Sequence, residues 1–69
     1  MIPLNSRVRI VSSDPLIKLR LSAMADYTGI IVEDLTEARK NKGYMVMLDE
    51  QFLDERLWFV PLKSVRHEK

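Results

Sequence analysis

The chain has 69 residues, no cysteine and a net charge of +1. A length this short predicts one domain, which buries only about 60% of the surface its unfolded chain exposes. Without cysteine there is no disulfide, thiolate zinc site or cysteine nucleophile. Packing must hold it, alone or against a partner.

Charge and hydropathy narrow the setting further. The balance gives no overall pull towards nucleic acid or membrane. It is nonetheless uneven: residues 33–55 carry seven acids against three bases, and the rest carries eight bases against three acids. Such a split predicts either mixed solvated loops or a two-sided surface that orients a charged partner. Every apolar run is far shorter than the ~20 residues that span a bilayer, so no membrane role is expected. No basic-then-apolar leader follows Met1, and the lack of cysteine fits a reducing cytoplasm.

In chain order, Pro3 limits early pairing. Arg7-Val8-Arg9-Ile10-Val11 then alternates basic and apolar residues, the pattern of a half-buried strand. Residues 14–25 support two readings. Asp14 before Pro15 reads as an N-cap with proline at the first helical position, and Leu16, Leu19, Ala23 and Met24 would form its apolar stripe. Ile17-Lys18-Leu19-Arg20-Leu21, by contrast, alternates like the arm of a hairpin. The cap chemistry favours a short helix or helical turns.

Gly29-Ile30-Ile31-Val32-Glu33 is β-branched and predicts a strand, with Gly29 where the backbone bends or is closely approached. Thr36 to Lys42 is polar and ends at Gly43, so a loop is expected. Tyr44 to Leu48 is the next strand, and Asp49 to Glu55 an acidic connection. Leu57 to Val60 is a strand stopped by Pro61, which lacks a ladder donor. Pro61-Leu62-Lys63-Ser64 suits one 3₁₀ turn, and Val65-Arg66-His67 a last short strand. Alternation places Val8, Ile10, Ile31, Val46, Phe59 and Val65 in the core.

The fold class is therefore all-β: five short strands in a small, partly open barrel, with one short helix or helical turn in the first long connection. The succession Val8-Arg9-Ile10, Thr28-Gly29-Ile30-Ile31-Val32, Gly43-Tyr44-Met45-Val46 and Trp58 to Val65 resembles the SH3-like barrel superfamily. The resemblance implies a long first loop and a fourth strand ended by proline, with a 3₁₀ turn before the fifth. The chain departs from peptide-binding SH3 domains. It has only Tyr27 near the first loop and Tyr44 at the third strand, and Trp58 falls in the fourth. The segment Thr28-Gly29-Ile30-Ile31 is similar to the glycine-centred motif of KOW-type domains, which implies a nucleic-acid-binding alternative. The expected setting is bacterial and cytoplasmic.

Little in the chain promises catalysis. His67 is the single histidine, beside Arg66 and Glu68 near the C-terminus, with no partner to orient it. Asp49, Glu50, Asp54 and Glu55 cluster without the spacing of a calcium loop. No glycine-rich phosphate loop exists, since Gly29 and Gly43 are the two glycines. No enzyme, cofactor or metal is expected.

What stands out is apolarity on both faces of three strands, because one small barrel interior cannot hold both sets. Either residues 14–25 fold over the outer set, or another chain covers it. The expectation is a binding module whose partner is a protein or a second copy, with Trp58, Phe59 or Met47 as anchors and at least one of Tyr44, Met47 and Trp58 buried by that partner. In the nucleic-acid alternative, the basic tip Arg39, Lys40 and Lys42 would act with Arg7 and Arg9.

Overall fold

A computed structural model describes residues 2–37 and 42–68. Five antiparallel strands form one sheet: β1 (Arg7–Ile10), β2 (Thr28–Asp34), β3 (Gly43–Phe52), β4 (Glu55–Pro61) and β5 (Val65–His67), in the order β4-β3-β2-β1-β5. The fold is all-β, with one five-residue helix, α1 (Asp14–Lys18), in the first long connection. The 3₁₀ turn Leu62–Ser64 joins β4 to β5, which lie at the two edges of the sheet. Proline accounts for this turn: Pro61 ends the strand with its fixed φ and no N–H to donate.

The core contains Val8 and Ile10 from β1, Ile31 from β2, Tyr44, Val46 and Leu48 from β3, Val60 from β4 and Val65 from β5. Leu16 and Met24 close it from the first connection. Five of the six residues expected inside are buried. The exception is Phe59, which is half-buried, while Val60 takes the interior position. Register is the reason. Tyr44 pairs with Val60 and Val46 with Trp58, so the buried face of β3 lies over Trp58 and Val60, and Phe59 points the other way opposite Met45.

Helix α1 is capped differently from the expectation. Ser13, with extended φ and ψ, is the N-cap, and its Oγ accepts from the Leu16 N–H at 3.3 Å. Asp14 is thus the first helical residue, where its charge complements the helix dipole. The helix stops without a glycine. Arg20 takes φ 61°, the Leu21 N–H donates to the Leu16 carbonyl at 3.1 Å, and the Arg20 N–H donates to the Ile17 carbonyl at 2.9 Å. This pair of bonds, with buried Leu16 beside half-buried Leu21, is a Schellman ending. The alternation at 17–21 is therefore a helix end and not a strand. Of the expected stripe, Leu16 and Met24 are buried, and Leu19 and Ala23 are exposed.

The acidic connection is shorter than its composition suggests. β3 continues to Phe52, β4 begins at Glu55, and Leu53 and Asp54 form a two-residue turn. Their φ values are 50° and 67°, the left-handed pair that a tight hairpin turn requires. Four residues of β3, Leu48 to Gln51, lie opposite the single Arg56 of β4, and Arg56 Nε donates to the Leu48 carbonyl at 2.9 Å. This wide bulge returns Phe52 to the core. There its ring meets Tyr27 and Trp58 edge-on, each at 5.4 Å between centroids.

Candidate binding surfaces

The outer face of β2, β3 and β4 carries a cross-strand row, Ile30–Met47–Leu57, set by direct pairing. The neighbouring row is Glu33–Met45–Phe59. A bulge between Ile31 and Glu33 turns Val32 outward as well, leaving it 42% exposed. Leu57 is 45% exposed, and Ile30, Met45, Met47 and Phe59 are half-buried. This row is left partly open, with Leu57 accessible, while α1 packs on β4 and on the turn Leu62–Ser64 and meets the face beside Phe59.

Of the four expected anchors, Met47 and Phe59 lie on that face. Tyr44 is buried in the core, and its hydroxyl accepts from the Ile2 N–H at 3.3 Å. Trp58 is half-buried on the core side, packed on Phe52, with Nε1 donating to the Glu55 carbonyl at 3.0 Å. Tyr44 shares the inward face of β3 with Val46, and the β3–β4 register that expels Phe59 draws Trp58 inward. Leu57 and Ile30 are the residues that sequence reasoning missed here. Cross-strand pairing places them, and no local pattern does.

The polar end of the outer face is closed by an ion pair. Arg7 Nη2 lies 2.6 Å from Asp49 Oδ2, and Thr28 Oγ1 donates to the same oxygen at 2.6 Å. These hydrogen bonds, Arg7's first, hold the Asp49 carboxyl below its ordinary range, and the same pairing raises the Arg7 guanidinium. Arg9 pairs with Glu68 at 3.2 Å. Arg7 and Arg9 thus face carboxylates of their own chain. Of the basic tip, Arg39 and Lys40 lie outside the described residues, and Lys42 is exposed.

Lys42 belongs to a different grouping. A groove of about 480 Å³ lies between α1 and the end of β4, floored by Pro15, Leu19, Phe59, Pro61 and Leu62. Lys18, Lys42 and Lys63 stand around it, and among the described residues no acidic side chain lines it. Among the described residues, none of the three lysines forms an ion pair. His67 is exposed on β5, and Glu50, Asp54 and Glu55 are exposed around the β3–β4 turn. Among the described residues no three metal-ligating side chains converge, and no helix is long and apolar enough to cross a membrane. Comparison of the chain with family models, with curated proteins and with solved structures gave no match.

Proposed function

We propose that the chain is a non-catalytic binding module of SH3-like type that holds a protein partner on the outer face of β2, β3 and β4. The row Ile30–Met47–Leu57 carries this reading. Three apolar side chains stand abreast on an outer face, with Met45, Phe59 and Val32 beside them and the chain's own helix packed at the Phe59 end. Contiguous apolar surface of this kind is uncommon on a monomer unless it binds something. Two methionines suit it to contact, because their unbranched side chains adapt to the surface they meet. The ion pair Arg7–Asp49 at one end of the face would limit sliding along it.

The test is capture from the native host with wild-type protein and with Met47→Glu. A charge at Met47 should abolish capture of the partner while circular dichroism and the thermal midpoint stay near wild type. Capture that survives both Met47→Glu and Leu57→Glu rejects this face. A KOW-like nucleic-acid module is the competing outcome. It would show affinity for generic single- or double-stranded nucleic acid that falls steeply with salt. The pairing of Arg7 with Asp49 and of Arg9 with Glu68 weighs against it.

A further inference from the structure

A second surface adjoins the outer face at Phe59, and the chain itself carries the feature that fits it. Among the described residues, the groove between α1 and the end of β4 has an apolar floor and a rim of three lysines with no acid in its lining. At the far end of the same strand, the β3–β4 turn presents Leu53, 71% exposed, as the most exposed large apolar residue described. Exposed Glu50, Asp54 and Glu55 surround it. Leu53 also sits at φ 50°, a left-handed position where glycine, asparagine or aspartate is the usual occupant. A leucine there is both conformationally strained and turned to solvent, and such outliers collect where a binding role retains them.

We propose that the acidic β3–β4 turn of one copy docks in the lysine-rimmed groove of a second copy, with Leu53 on the floor formed by Leu19, Phe59 and Leu62. Opposite charges meet: Glu50, Asp54 and Glu55 face Lys18, Lys42 and Lys63. The apolar tip meets the apolar floor. A single copy cannot satisfy itself, because turn and groove lie at opposite ends of the seven-residue β4, roughly 20 Å apart at strand rise. The contact uses different surfaces on the two copies: made once per pair it is head-to-tail and builds rings or open chains, and made reciprocally it closes a two-fold dimer.

Sedimentation velocity across a concentration series at low salt tests this. The average mass of wild type should rise with concentration to that of a dimer or beyond and fall as salt is added. Leu53→Asp removes the apolar tip and leaves an aspartate that tolerates the left-handed turn. Lys42→Glu with Lys63→Glu reverses the rim at two exposed positions. Each variant alone should sediment as a monomer with an unchanged far-ultraviolet spectrum. Mixed in equal amounts, they should pair and stop at a dimer, since the first keeps its groove and the second its tip. Met47→Glu should leave this assembly intact, which separates it from partner binding on the outer face. A wild type that stays monomeric throughout the series overturns the proposal. So does a mixture that fails to pair, or an assembly lost with Met47→Glu and kept by the tip and groove variants.

Discussion

Gly29→Ala probes the tightest point of the sheet. Gly29 pairs with Val8 of β1 and with Leu48 of β3, so backbone flanks it on both sides. A Cβ there would press on the Met47 carbonyl oxygen and lie 2.9 Å from Val46 Cγ1 and 3.0 Å from the Leu48 Cα. Two of those three atoms are backbone of the paired strand, which cannot retreat without lengthening the ladder bonds of β2 with β3. Overpacking of this kind costs about 1–3 kcal/mol. Restricting the unfolded chain returns about 0.4–1 kcal/mol. The balance is a loss of about 1–2 kcal/mol. For a domain of this size each kcal/mol moves the midpoint by about 4–8 °C, so thermal melting should shift down by about 4–16 °C. Circular dichroism melts beside an exposed control, Glu50→Ala, read the effect. Urea titration should show a lower midpoint with an unchanged slope. A Gly29→Ala midpoint equal to or above wild type would refute the close approach of β2 and β3.

Val46→Ala should cost about 1–3 kcal/mol in urea titration, because it opens a hole in the fully buried core, whereas Met47→Ala on the half-buried outer face should cost less; the reverse order would show β3 inside out. Ser13→Ala should cost about 1–3 kcal/mol, since it removes the α1 cap and leaves the buried Ser64 hydroxyl without its Ser13 partner. Asp14→Ala should cost less, because Asp14 acts only through the helix dipole. For pH, the Asp49 carboxyl is depressed in the folded state by Arg7 and Thr28. Its contribution is present above the unfolded value near ~3.9 and is lost as pH falls through the folded value. Asp49→Asn should therefore flatten the acid limb of a stability–pH curve, and added salt should shrink the difference because the pair is exposed.

Several elements could be read directly from the chain because their chemistry is local. Pro61 has a fixed φ and no N–H, so β4 had to end there and a turn had to follow. Arg7 to Ile10 alternates in polarity, which sets the inward face of β1 by itself. Where apolar residues run without interruption, the period-two signal has no contrast. Leu57-Trp58-Phe59-Val60 could present either face, and the choice fell to the β3–β4 register, through a bulge that sets four residues against Arg56. That register took Trp58 out of the expected contact face and put Leu57 into it. The N-cap was ambiguous for a different reason: Ser13 and Asp14 are both good caps, and contact of Ser13 with Ser64, fifty-one residues away, separates them. The groove was not legible at all, since α1, Lys42 and the end of β4 are distant in sequence and meet only when the sheet curves. The sequence by itself determined which segments are strands and where proline stops them, because those follow from each residue's own backbone and polarity. Tertiary structure alone decided which face of β4 looks outward and which lysines share a groove, because register and curvature are properties of strands paired with one another.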